Sequence, residues 1–245
     1  MTISIIYFLA GLSERFGGKP KGLARVGKNN EPLMEISLKQ TLESKFEKII
    51  FVVGKQTHAL YYNVFGKSYT NIPIFYALQE FNPEERDKPW GTCDALCSAS
   101  HFVDGPFVVC NGDDLYGKES FKTLTNHLEK EKGGAAIGYE LGNVISEDGA
   151  VNRGIYKIHG DYALSIEEVL GIEKSKLDEK NLNENTLCSM NIFGFQKETI
   201  NELNKSLKEF KEKNARDRRI ECLLPVEISN LIKLIKLNLK IYPTN

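Results

Sequence analysis

Short, nearly continuous apolar runs recur along the first half of the chain, at residues 3–9, 49–53, 72–78 and 107–110. Runs of this length predict strands buried on both faces, as in a parallel sheet. Between them the apolar spacing changes to that of amphipathic helices. Leu33, Ile36, Leu38 and Leu42 mark one helix over 32–46. Ala95, Leu96 and Ala99 mark a second over 92–102, and Phe121, Leu124 and Leu128 a third over 120–132. Strand–helix alternation of this kind builds βαβ units. After Gly133-Gly134 the pattern turns to strands with few helices between them, at 135–141, 154–158, 162–169 and 187–195. Residues 171–185 are polar and read as an exposed insertion. Helices are predicted at 198–213 and 222–237, and a last strand at 239–242. The expectation is an α/β fold forming one domain over 1–245, with a regular half at 1–132 and a more irregular half at 133–245.

Composition narrows the function classes. A chain of 245 residues buries about 70–75% of its unfolded surface and needs no disulfide or metal staple to fold. Lys+Arg is 32 and Asp+Glu 33, so the basic excess expected of a nucleic-acid binder is missing. Hydrophobic residues at 41% and charged residues at 27% argue against disorder. The five cysteines form no CxxC pair, and free thiols in a reducing cytoplasm are preferred over a zinc site. No basic residue precedes the first apolar run, which reads as a strand and not as a signal peptide. None of the runs approaches the roughly 18–20 residues of a membrane span. A cytoplasmic protein with neither membrane nor nucleic-acid partners is expected.

Three segments carry candidate chemistry. The first strand runs into Leu9-Ala10-Gly11-Leu12-Ser13-Glu14-Arg15-Phe16-Gly17-Gly18-Lys19-Pro20-Lys21. Its glycines permit close backbone approach, its N–H groups suit phosphate oxygens, and Arg15 and Lys21 supply a bidentate and a point charge. The alternative is a solvated turn with surface cations. The second segment ends a strand in Asn111-Gly112-Asp113-Asp114. A carboxylate there is placed to hold Mg²⁺ against phosphates, and Asp113 is favoured for that role. A plain turn, or a helix N-cap at Asp114, is the alternative. The third segment runs from Gln79, whose amide can read a base edge, to Gly91-Thr92 at a helix start. Thr92 as a simple cap is the alternative there, and Trp90 reads as a core shield. Two phosphate motifs fail. Gly22 to Lys28 matches P-loop spacing, but Asn29 stands at the Ser/Thr position, and no GxGxxG follows the first strand.

LAGLSERFGGKPK, a strand ending in Gln, GTCDA and NGDD, in this order, resemble the nucleotidyltransferases that make nucleotide-activated sugars. The resemblance covers essentially the whole first half. It is weaker in the second, on Val151-Asn152-Arg153-Gly154 and on 189–195. It implies a Rossmann-like, mixed and mostly parallel sheet flanked by helices, of the nucleotide-diphospho-sugar transferase type. The 1–132 half would bind the nucleotide and the 133–245 half the acceptor. Leu9, Ala10, Gly11, Leu12 and Ser13 would hold the nucleotide, with Gln79, Gly91, Thr92 and Gly112. Arg15 would take the outgoing pyrophosphate, Lys21 the phosphates at the reacting centre, and Asp113 the Mg²⁺. Gly154, Glu168 and Asn191 would form the sugar pocket. The implied partners are an NTP and a phosphorylated small molecule, and a homo-oligomer is open.

Three departures stand out. Leu12 and Glu14 are bulky or charged for such a loop. Val169 follows Glu168 where sugar-specific members often carry lysine. Members also supply a second metal-binding carboxylate near the C-terminus, and none is evident before Pro243-Thr244-Asn245. Either it lies in a further segment or the metal set is incomplete. Two other readings remain, a glycosyltransferase of related fold using Asp113-Asp114 on a nucleotide-sugar, and a non-catalytic nucleotide-binding regulatory module. The four histidines are isolated and read as surface or packing residues. Arg216, Arg218 and Arg219 read as an exposed helix boundary or an oligomer contact.

Overall fold

The computed structural model describes residues 2–11, 17–147 and 149–244. Leu12, Ser13, Glu14 and Arg15 therefore lie outside the described residues. Among the described residues, strands β1 (Ile3–Phe8), β2 (Phe46–Val53), β3 (Ser68–Tyr69), β4 (Ile72–Leu78) and β5 (Phe107–Asn111) are joined through helices α1 (Leu33–Thr41), α2 (Lys55–Phe65) and α3 (Thr92–Ser98). Then come α4 (Lys118–Lys130), β6 (Gly134–Glu140), the single turn α5 (Leu141–Val144), β7 (Val151–His159), β8 (Tyr162–Ile172), β9 (Leu187–Ser189), β10 (Phe193–Phe195), α6 (Glu198–Lys213), α7 (Leu224–Lys233) and β11 (Leu239–Thr244).

The strands join one mixed sheet. β5, β1, β2 and β4 are mutually parallel neighbours, and β10 inserts antiparallel between β5 and β6. Successive side chains of a strand point to opposite faces. In β1, Ile3, Ile5 and Tyr7 enter one core with Met34 and Leu38 of α1, Tyr61 of α2 and Phe121 of α4. Ile6 enters the other, with Leu96 of α3, Leu203 of α6 and Ile228 of α7. Both faces are therefore covered by helices, which is why these strands read as unbroken apolar runs. Phe51 is fully buried and meets Tyr7, Tyr61, Phe65 and Tyr76 edge-on, each centroid within 6.1 Å. Each such pair contributes about 0.5–1.5 kcal/mol beyond area burial.

In the second half the pairings β6–β9, β9–β7, β7–β8, β8–β11 and β11–β6 close a circuit. Three expectations change, two of them in this half and one, helix α2, in the first. The strand expected over 187–195 breaks into β9 and β10, because Asn191 takes φ 58° between them. The 171–185 stretch is no bare insertion. Leu177 and Leu182 are buried with Leu141, Ile145, Ile155, Ile172 and Cys188 in a small core of their own. Helix α2 was not foreseen, since Thr57, Tyr61 and Phe65 alone bury its inner face.

Candidate active site

Parallel strands place their carboxyl ends on one rim, where ligands of open α/β sheets bind. Leu9, Gly54, Gln79 and Gly112 follow β1, β2, β4 and β5 there. The rim is tightly packed beneath. The Leu9 side chain is buried, and a Cβ on Gly112 would lie 2.0 Å from it. Leu9 N–H donates to the Val52 carbonyl at 2.8 Å and Gly112 N–H to the Phe8 carbonyl at 3.1 Å. Those two amides are committed to the sheet. Ala10 lies against Gly54, and Gly11 is exposed with open space around it.

Lys21 opens a 3-10 turn over Lys21–Leu23, preceded by Pro20. Gly22 seats this turn, because a Cβ there would stand 2.6 Å from the Tyr61 hydroxyl and 3.0 Å from the Gly112 carbonyl. The close seating delivers Lys21 to the tip of β5, where its Nζ donates to Asp113 Oδ2 at 3.2 Å. Side chains 92 positions apart in sequence thus meet.

Asp114 turns the other way. Asn111 Nδ2 donates to its Oδ2 at 2.9 Å, and burial, helped by Asp113, pushes its carboxyl up from the usual range while Asn111 opposes. Asp114 caps no helix, since α4 starts from Gly117. It lines a polar cleft of about 190 Å³ with Asn111, Thr92, Gly154, Glu168 and Asn191. Gly154 pairs across the sheet with both Glu168 and Ser189. Its missing side chain leaves room, as a Cβ would sit 2.9 Å from Ile166. Asn191 reaches the cleft from the left-handed bend between β9 and β10, its N–H held by Ser189 Oγ at 3.1 Å. Burial pushes the Glu168 carboxyl up and the Arg153 charge pulls it back.

The cleft's far wall comes from α3 and α7. Thr92 does not cap its own helix; its Oγ1 accepts the Leu224 N–H of α7 at 2.8 Å. Gly91 takes φ 99°, and a Cβ there would stand 2.7 Å from the Cys222 carbonyl. Gln79 Nε2 donates to the Gly91 carbonyl at 3.0 Å and to Asp94 Oδ2 at 2.8 Å. Both neighbours only accept, so the orientation of this amide is chemically forced, and Oε1 is the atom Gln79 can offer a ligand. Lys211 Nζ holds the other Asp94 oxygen at 2.5 Å.

Residues 80–91 are latched to the 214–222 segment. Arg86 is buried, stacks 3.4 Å over the Trp90 ring and donates to the Asp217 and Ile220 carbonyls. Arg218 and Arg219 both bind Asp87. These two arginines are therefore part of an internal clamp and not a bare helix boundary. Asp94 and Asn111 stand in the GTCDA and NGDD motifs with no role assigned from sequence, and Arg86 and Lys211 are not marked by any motif, because their partners lie far along the chain or their roles depend on a fold-specific turn. The five cysteines are free and buried. His127 is also buried, its Nδ1 3.1 Å from the Tyr242 hydroxyl. Among the described residues no helix is long and apolar enough to cross a membrane.

Of the site residues expected from sequence, Leu9, Ala10, Gly11 and Gly112 line the strand-end rim, and three adjoining groups stand beside it: Lys21 with Asp113, Gln79 with Gly91, and Thr92 with Gly154, Glu168 and Asn191. Known proteins share this frame. A structure provisionally assigned as a glucose-1-phosphate thymidylyltransferase from Bacillus anthracis superposes with a TM-score of 0.71 at 14% identity, covering 100% of this chain and 87% of that one. A UDP-glucose pyrophosphorylase complexed with UDP-glucose superposes with a TM-score of 0.67 at 17% identity, covering 100% and 92%. At these identities the likeness establishes the fold, a mixed sheet with a parallel core flanked by helices. The bifunctional protein GlmU of Methanococcus maripaludis is 25% identical over 178 residues, 65% of this chain. The chain spans about 40% of that relative's length. The profile of the nucleotidyl transferase family matches residues 17–225, a span that includes Lys21, Gln79, Asp113 and the whole cleft. On that match, laid over a sheet of the same architecture, the chain belongs to the nucleotidyl transferase family.

Proposed function

We propose that the protein joins an NTP to a sugar 1-phosphate, or a similar phosphorylated small molecule, and releases pyrophosphate. One observation carries the reading. The Lys21–Asp113 pair stands at the tip of β5, and the next residue, Asp114, opens into the cleft of Gly154, Glu168 and Asn191. The NTP lies over the strand ends, its phosphates along Ala10 and Gly11 and toward Lys21, its base toward Gln79 and Gly91; Leu12 and Ser13 are assigned to the nucleotide on sequence alone. The acceptor enters the cleft, where Glu168 and Asn191 face its hydroxyls.

An acceptor phosphate oxygen attacks the α-phosphorus in line. One P–O bond forms as the bond to the β-phosphate oxygen breaks, and pyrophosphate leaves. The nucleophile is already anionic, so no side chain removes a proton. The chain supplies alignment and positive charge against mutual repulsion of the phosphates. Lys21 takes the phosphates at the reacting centre. Arg15 is assigned the outgoing pyrophosphate on sequence alone.

Asp113 offers Mg²⁺ one half-exposed carboxylate, and the described residues hold no cluster of three candidate ligands. Such a set fits Mg²⁺, which is commonly held by one or two carboxylates plus substrate phosphates and waters. When bound, the ion would neutralise charge on the phosphates. The place of action is the cytoplasm, in keeping with the free, buried cysteines.

Gln79 offering only Oε1 suits the N3–H of uracil or thymine at the base edge, whereas cytosine N3 is itself an acceptor and leaves only the N4 amine to donate. Thermal melts with Mg²⁺ and each NTP test this. UTP or dTTP should raise the melting temperature more than CTP does, because ligands that bind the native state stabilise it by mass action. A larger shift with CTP would contradict the base assignment, and no shift with any NTP would contradict the reading.

A further inference from the structure

Arg153 is the one cation among the described residues that line the cleft, and it faces two carboxylates there. Its charge lowers both Glu168 and Asp114 against the upward push of burial. A phosphorylated acceptor brings more negative charge into this enclosure. Without Arg153, a phosphate entering through the cleft would pass Asp114 and Glu168 with no cation among the described lining residues to offset them, and like charges at close range disfavour entry. Across the sheet from Arg153 stands Val169, so that position supplies no second charge.

The guanidinium is held yet not saturated. Nη1 donates to the Asn152 carbonyl at 3.1 Å and Nη2 to the Val144 carbonyl at 3.2 Å. Nε is enclosed and has no hydrogen-bond partner. A buried N–H without a partner is costly and calls for an explanation. A guanidinium carries five N–H groups in a rigid fork that matches phosphate geometry. Here two of them fix the plane, which leaves one hydrogen on each terminal nitrogen for a ligand, while Nε–H has no partner in the protein.

We infer that Arg153 binds the phosphate of the acceptor and so selects phosphorylated over unphosphorylated acceptors. The inference rests on the nucleotidyl-transfer reading, which assigns the cleft to the acceptor. It adds the group that makes an acidic cleft accept an anion.

Two measurements on the full chain test it. The first is calorimetric titration with inorganic phosphate, which needs no turnover. Phosphate should bind the parent at least about tenfold more tightly than Arg153→Ala, with Arg153→Lys between them, since Lys keeps the charge but loses the fork. The second is the kinetics of pyrophosphate release with α-D-glucose 1-phosphate. Arg153→Ala should raise the KM for the sugar phosphate by about 10–100-fold and leave the KM for the NTP unchanged.

Phosphate binding that is equal in parent and Arg153→Ala, with equal KM for the sugar phosphate, overturns the inference and leaves nucleotidyl transfer standing. Phosphate binding that depends on Arg153 in a chain that releases no pyrophosphate supports the anion site and removes the transfer reading. Should Arg153→Ala not fold, Arg153→Lys decides. A folded Lys variant with no phosphate affinity would make the contacts to Asn152 and Val144 the residue's only role and overturn the inference.

Discussion

Replacing Lys21 by alanine is expected to lower pyrophosphate release by about 10²–10³-fold while leaving the urea unfolding midpoint unchanged. The magnitude is that of removing one preorganised donor from a developing charge, about 2.7–4 kcal/mol of transition-state stabilisation. The unchanged stability follows from the environment. The Lys21 and Asp113 side chains are 50% and 38% exposed, and ion pairs at such positions add little to folding. Their turn is held by Gly22 against Tyr61 and Gly112, not by the charge. The pair is therefore better read as two charges waiting for other partners. Lys21→Arg should recover part of the rate, because the charge returns with a different reach. Turnover of Lys21→Ala within a few-fold of the parent would remove Lys21 from the mechanism.

Asp113→Asn is expected to cost at least about 100-fold in turnover and to abolish the gain in NTP affinity that Mg²⁺ gives the parent, read by calorimetry with and without the ion. The substitution conserves shape, and the half-exposed site tolerates an amide, so folding should survive. Asp114→Asn is the contrast. Its Oδ2 accepts from Asn111 Nδ2, a bond the oxygen of an amide can keep, and burial already disfavours its charge. Folding and the Mg²⁺ response should both survive Asp114→Asn, whereas the Mg²⁺ response is lost in Asp113→Asn. If Asp113→Asn keeps the full Mg²⁺ effect, the carboxylate assignment is wrong.

What could be read from sequence depended on the range of the forces involved. β1, β2 and β5 are buried on both faces and β4 in part, so hydrophobicity alone marks them, and chemistry-bearing residues at their exits could be named. Helix α6 was likewise legible, because Ile200, Leu203 and Leu207 repeat at helical spacing. Helix α2 was not, since two aromatics and a threonine make its buried face. The bend at Asn191 has no glycine to announce it, and only the closing circuit of strands shows why the chain turns there. The orientation of Gln79 is set by Asp94, and Asp94 by Lys211, 117 positions onward. The clamp of Arg86, Asp87 and Arg218 spans a similar distance. Pairings of that separation have no local signature. Arg153 stood in view as part of a motif, but its neighbours Asp114 and Glu168 arrive from other strands.

The most direct test of the whole account is a stoichiometric assay of pyrophosphate and nucleotide-sugar formation. The chain is incubated with Mg²⁺, with UTP or dTTP, and with a panel of sugar 1-phosphates, each reactant also being left out in turn. The account predicts one pyrophosphate per nucleotide-sugar, formed only when NTP and sugar phosphate are both present. Release of nucleoside diphosphate in place of pyrophosphate, or NTP binding with no product from any acceptor, would contradict it.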